Sequence, residues 1–169
     1  MKVIIRYALL ILQIAFITVL VYQFENMEKY ADEITVATKV EYIYYDDFEQ
    51  SSDLYVDYNI NKVVQDVWKI EEPLNYNRPV YVTLGKNKQG IHEVKSVMGK
   101  RPKQKNPNEV ILKANYSNND DKGEHYVYYG FESIQHAERF GRFKEGDQLL
   151  VTVLLGRLGQ QKVVHIEKK

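Results

Sequence analysis

Residues 53–60, DLYVDYNI, alternate without a fault: Leu54, Val56, Tyr58 and Ile60 stand against Asp53, Tyr55, Asp57 and Asn59. A period of two belongs to a strand with one face in a core and one in water, and a one-residue slip of its pairing would bury two aspartates. The same period recurs between turn signals along most of the chain. Across residues 35–45, Val36, Val40, Tyr42 and Tyr44 fall on one face, with Lys39, Glu41 and Ile43 on the other. PVYVTL (79–84) and IHEVKSVM (91–98) flank the glycine-bounded turn GKNKQG. EVILKANY (109–116) and EHYVYYGFE (124–132) flank SNNDDKG, and QLLVTVLL (148–155) and KVVHIE (162–167) flank GRLGQQ. Three hairpins are expected from these pairs. Between Asn61 and Leu74 the period shifts, and Val63, Val64, Val67, Trp68 and Ile70 fit a short helix stopped near Pro73, with Trp68 as a core anchor. IQHAERF (134–140) reads as a helical turn or an irregular loop. About eight short strands separated by turns predict a mainly β fold, a single antiparallel sandwich or barrel-like domain with one or two short helices.

A segment of another kind precedes this domain. From Val3 to Tyr22 only Arg6 and a few uncharged polar residues interrupt an apolar run, matching the roughly 20 residues that a helix needs to cross a bilayer. Lys2 and Arg6 lie at its start and Glu25 and Glu28 follow it, so the positive-inside bias puts the N-terminus in the cytoplasm and the chain beyond about residue 25 outside. Tyr7, Tyr22 and Phe24 sit near the ends of the run, where aromatic rings favour the headgroup region. A cleaved secretory signal starts the same way, but the run from Tyr7 to Tyr22 exceeds a usual h-region and no small-x-small site follows it. The organisation expected is a transmembrane anchor over residues 1–24, a linker or helical extension over 25–33, and one extracytoplasmic β-rich domain over 34–169. The chain has no cysteine, which excludes a disulfide, a thiolate metal site, a lipidated cysteine and a thiol nucleophile. Lys and Arg total 23, as do Asp and Glu, and that balance carries no nucleic-acid footprint.

The order of segments resembles a family. An N-terminal membrane helix, a T-x-V-x-x strand, an acidic loop with Asp47, a strand ending in Tyr58, a strand with Tyr81, Val82 and Leu84, then Tyr129-Gly130-Phe131-Glu132 with Glu138 beyond, is similar to the GDYXXLXY family of bacterial membrane-anchored proteins. Ser51, Ser52 and Asp53 stand where the family has Gly, Asp and Tyr, Val56 replaces the Leu, and Tyr58 is the identity in that motif. Ala137 and Arg139 replace the proline and glycine that flank the family's later glutamate. The resemblance implies an exported, anchored domain, often encoded beside a polytopic membrane protein, and brings no biochemical activity with it.

The residues themselves point away from catalysis. His92, His125, His136 and His165 show no ligand spacing, and no serine sits in a nucleophile motif. His92 and His165 lie in strands, where a surface or edge position accounts for them. Glu132 and His136 would be i, i+4 neighbours on a helical turn and form a carboxylate–histidine pair, with a solvated loop pair as the plainer reading. Asp46, Asp47 and Glu49 form an acidic loop without the spaced pattern of a calcium site. No cofactor and no metal are implied.

Charge and tyrosine content are more informative. Residues 25–57 carry ten acids against Lys29 and Lys39, whereas residues 86–105 carry seven bases against Glu93. A basic hairpin and loop outside a membrane suit an anionic headgroup, an anionic wall polymer or an acidic partner. Of fourteen tyrosines, eight cluster at 42–45, 55–58 and 126–129, and Tyr55 shares the polar face of its strand with Asp53 and Asp57, the composition of a recognition surface. Tyr55, Tyr58, Lys100, Arg101, Lys103, Tyr129, Glu132 and Glu138 are the candidate interaction residues. Two readings follow. One is a non-enzymatic, membrane-tethered binding or scaffold module for an envelope or integral membrane partner. The other is an extracytoplasmic enzyme or metal-dependent binder that uses Glu132, His136 and Glu138 on envelope material.

Overall fold

The structure is a computed structural model that describes residues 2–25, 29, 31–46, 51–103, 106–119, 124–156 and 159–169, with the backbone alone at 2–5, 23–25, 46 and 119. The period-two segments form two five-stranded antiparallel sheets around one core. The first sheet has the order β10-β9-β1-β2-β8, from β1 (Asp32–Asp46), β2 (Ser51–Tyr58), β8 (Ser133–Ile134), β9 (Gln148–Leu155) and β10 (Gln161–Lys168). The second has the order β3-β7-β6-β4-β5, from β3 (Lys62–Val63), β4 (Pro79–Lys86), β5 (His92–Met98), β6 (Glu109–Asn119) and β7 (His125–Tyr128). The three expected hairpins form, as β4–β5, β6–β7 and β9–β10. Leu54, Val56, Tyr58 and Ile60 are all buried, as their alternation requires.

β1 spans 15 residues and is shared between two neighbours. It pairs with β9 from Asp32 to Lys39 and with β2 from Thr38 to Asp46. Val40 lies opposite Val56 and Tyr42 opposite Tyr55, so Glu41 is an extra residue and marks a β-bulge. Before the bulge Ile34, Val36, Thr38 and Val40 face the core; beyond it Ile43 packs inward and Tyr42 and Tyr44 turn out, 47% and 57% exposed. This corrects the single face expected for Val36, Val40, Tyr42 and Tyr44, because the inserted residue reverses the phase of everything after it.

The helix expected over Asn61–Leu74 is also corrected. Its place is taken by β3 and one 3₁₀ turn, Gln65–Val67. Val63 and Lys62 pair with His125 and Tyr126, Trp68 forms a parallel bridge with Val97, and the Lys69 amide donates to the Val97 carbonyl at 2.9 Å. β-Branched Val63, Val64 and Val67 are poor helix formers, and the drawn-out backbone meets the open edges of β7 and β5 instead. Trp68 is buried as expected. IQHAERF contains a 3₁₀ turn, Ala137–Phe140, entered through His136 in the left-handed region at φ 51°.

The N-terminal segment is helix α1, Lys2–Glu25, of 24 residues. Every residue from 6 to 22 except Leu20 is exposed, large apolar groups included. Among the described residues no helix is long and apolar enough to cross a membrane. Of the expected linker, residues 26–28 and 30 lie outside the described residues, and its last two positions, Asp32 and Glu33, belong to β1.

Two core phenols tie the fold together. The Tyr58 hydroxyl donates to the Phe131 carbonyl at 3.1 Å and the Tyr129 hydroxyl to the Ile60 carbonyl at 2.9 Å, while both rings pack on Phe131. Tyr58→Phe and Tyr129→Phe should each lower stability by about 1 kcal/mol, the net worth of one such bond. A urea titration should show the lowered midpoint with an unchanged slope.

Candidate functional site

The exposed end of the β1–β2 hairpin presents an aromatic patch. Tyr42 and Tyr55 pair across the strands and stack with centroids 4.3 Å apart and planes at 11°. Tyr44 lies two residues on, opposite Asp53. Tyr45, 66% exposed, belongs to the other face of the same strand end. The sequence singled out Tyr55 correctly as an outward residue but assigned Tyr42 and Tyr44 to the core face; only the bulge at Glu41 brings them to its side.

Two other tyrosines of the expected interaction set do not serve it. Tyr58 is wholly buried and Tyr129 is 6% exposed. Burial, with the negative charge of Glu132 beside them, holds both phenols above their usual range, so they stay protonated and donate to carbonyls inside the core. They are corrected from interaction residues to core residues.

Glu132, His136 and Glu138 do not converge. The Glu132 carboxylate folds back to accept the Tyr129 and Gly130 amides at 2.6 and 2.8 Å, closing a turn in which Gly130 takes φ 90°, a conformation natural to glycine. Glu138 Oε2 accepts the Ser52 amide at 2.8 Å and the Ser52 hydroxyl at 2.9 Å. Those bonds hold its carboxyl below the usual range. His136 Nδ1 lies 3.7 Å from Glu138 Oε1, and the His136 amide donates to Asp53 Oδ1 at 3.1 Å. The expected Glu132–His136 pair is therefore replaced by His136–Glu138, and both groups fasten the 3₁₀ turn to the start of β2. Among the described residues no three acidic, histidine or cysteine side chains are grouped to hold a metal. Of the acidic loop, Asp47, Glu49 and the side chain of Asp46 lie outside the described residues.

Lys100, Arg101 and Lys103 are exposed beyond β5. Arg101 lines an open cleft of about 880 Å³, with Ile111 and Lys113 of β6 on its wall and Leu155, Tyr129 and Gln161 also facing it. Nothing in local sequence pattern marks this cleft, because it is set by where β7 stops pairing with β6.

His92 is the histidine whose position departs most from expectation. It lies on edge strand β5 but is 2% exposed, and its Nδ1 accepts the Thr35 amide of β1 at 3.0 Å, bridging the two sheets. β2 pairs with β1 only from Thr38 onward, so the ring caps an amide of the otherwise open half of β1. That bond places the ring proton on Nε2. His125 stacks on Trp68 at 3.9 Å and shares a 2.8 Å hydrogen bond with Gln65, whereas His165 is exposed on β10.

Burial, ahead of the charge of Lys86, keeps His92 below its ordinary 6.5, against the opposing pulls of the Thr35 carbonyl, 3.3 Å from Nδ1, and of Glu33. A histidine depressed in the folded state binds its proton more readily when unfolded, so stability is full above about pH 6.5 and falls as pH drops below it. Thermal melts between pH 7.5 and 5 should show this decline, and His92→Asn, which keeps an acceptor near Nδ1, should flatten it. The chain matches no protein-family model, no curated protein and no solved structure.

Proposed function

We propose that the protein is a membrane-anchored binding or scaffold module whose β domain stands outside the cytoplasmic membrane and engages an envelope or integral membrane partner without catalysis. The observation that carries this reading is the phase reversal at Glu41, which turns Tyr42 and Tyr44 out beside Tyr55. Large amphipathic rings spent on solvent at the end of a well-packed hairpin are the usual composition of a protein contact. Asp53, opposite Tyr44, sets a carboxylate beside the patch, and Lys86, Lys88, Lys95, Lys100, Arg101 and Lys103 lie in the other sheet and its following loop. Such a division of charge orients a partner as it approaches.

The anchor is the second element of the proposal. The run from Val3 to Tyr22 has Lys2 and Arg6 at one end and Glu25 beyond the other, the asymmetry that keeps an N-terminus in the cytoplasm. The exposed apolar side chains of α1, such as Ile11 at 66% and Leu12 at 67%, call for a cover other than water. The GDYXXLXY resemblance points the same way.

Cell fractionation and a photo-crosslinker at residue 44 test both elements. The full chain is expected to stay with membranes through an alkaline wash, to be cut by protease added outside spheroplasts, and to be freed by deletion of residues 3–22. A photoreactive phenylalanine analogue in place of Tyr44 should capture one membrane or envelope protein that the same probe at Lys88 does not, with loss of capture in Tyr42→Ala/Tyr55→Ala. A freely soluble chain would overturn the anchor, and equal products from both probe positions would overturn the partner surface.

A further inference from the structure

The cleft beside Arg101 is bounded by an open strand edge. The Tyr116 amide donates to the Arg78 carbonyl at 2.8 Å, and the register of β6 on β4 continues unbroken from Asn115 to Glu109. Antiparallel pairs alternate, so Val110, Leu112 and Ala114 direct their amides and carbonyls to β4, and Ile111 and Lys113 direct theirs the opposite way. On that opposite side β7 pairs with β6 only from Asn115 to Asn119. Among the described residues no group hydrogen-bonds to the Ile111 or Lys113 backbone there. The equivalent open half of β1 is capped by His92 at Thr35; the open half of β6 faces the cleft of about 880 Å³ instead.

The two faces of this edge differ in chemistry. Val110 and Leu112 point into the core, and Leu155 and Tyr129 border the cleft near them. Lys113 pairs with Tyr81 on the outer face, and Arg101 lines the cleft with them. A strand laid along β6 would place alternate side chains against each face. Its inward positions meet Leu155 and Tyr129, its outward positions meet Lys113 and Arg101, and Asp32, Gln160 and Gln161 complete the cleft wall, so cations outnumber the one acid there.

We propose that β6 accepts an extended segment of a partner protein as an added antiparallel or parallel strand, with small apolar residues alternating with Asp or Glu. The Ile111 and Lys113 amides and carbonyls supply the ladder, Arg101 and Lys113 select acid, and the apolar wall fixes the register, as in other cases of strand addition to a sheet edge. This rests on the binding-module reading and names the chemistry of one of its partners, on a surface separate from the tyrosine patch.

Hydrogen exchange of the full chain in detergent, with an acetylated and amidated peptide of four Val-Glu repeats in excess, tests it. Exchange at the Ile111 and Lys113 amides should slow about tenfold or more, whereas a peptide of four Val-Lys repeats should leave it unchanged. Ile111→Pro removes a donor that the β4 ladder does not use, at an edge position where proline is tolerated, and should abolish the protection. Should that variant fail to fold, Arg101→Glu/Lys113→Glu carries the test and should reverse the preference between the two peptides. No protection at Ile111 and Lys113, or equal protection by both peptides, overturns the proposal. Capture at residue 44 together with an unprotected β6 edge would reject the strand site alone and leave the binding-module reading in place.

Discussion

Everything in this fold is arranged around the unequal reach of its strands. β1 is long enough to serve two neighbours in succession, β9 along its first half and β2 along its second, so neither partner covers it fully and each half has one side left over. A backbone amide in a core cannot go unpaired without a cost of roughly 1–3 kcal/mol, and the structure answers with a residue from the opposite sheet: His92 reaches across to Thr35. The same logic draws Trp68 and Lys69 onto the edge of β5, where a helix would have left that edge open. The second sheet repeats the mismatch at β6 and leaves it open, which is why the cleft beside Arg101 exists.

The polar residues that the sequence offers for chemistry are absorbed by these local needs. Glu132 closes the turn at Gly130, and Glu138 with His136 pins the following turn to Ser52 and Asp53. Each carboxylate accepts two hydrogen bonds, and those from Ser52 hold the Glu138 carboxyl below its usual range. Asp147 follows the same pattern at the other end of the domain, where Lys168 and the Lys144 amide hold it ionised and join the C-terminal strand to the loop before β9. Glu132, Glu138 and Asp147 are thus fasteners of turns and strand ends.

Alternation was legible wherever one strand met one environment along its whole length. Leu54 to Ile60 shows its inward positions in the sequence, and the turns between 84 and 91, 116 and 124, and 155 and 162 announce the hairpins. What escaped was whatever a distant partner decides. Glu41 looks like any polar strand residue, yet it is the extra residue that turns Tyr42 and Tyr44 outward, and only the register with β2 reveals it. Tyr58 and Tyr129 carry hydroxyls that suit a surface equally well, until carbonyls at Phe131 and Ile60 claim them across some seventy residues of chain. His92 has no local sign of burial because its partner lies in the other sheet. The tyrosine patch was thus half visible, through Tyr55, and the open edge of β6 was not visible at all, since it is defined by a neighbour's stopping point.

The continuity of β1 has a mechanical consequence. Asp32 and Tyr44 belong to one strand, separated by about 40 Å of extended backbone. Tension applied at the tyrosine end travels to Asp32 through covalent bonds alone, and the ladders with β9 and β2 are loaded in shear along their length rather than peeled open pair by pair. The strand is a tether as much as a wall: a pull on the hairpin tip reaches the segment that follows α1 without first dismantling the domain.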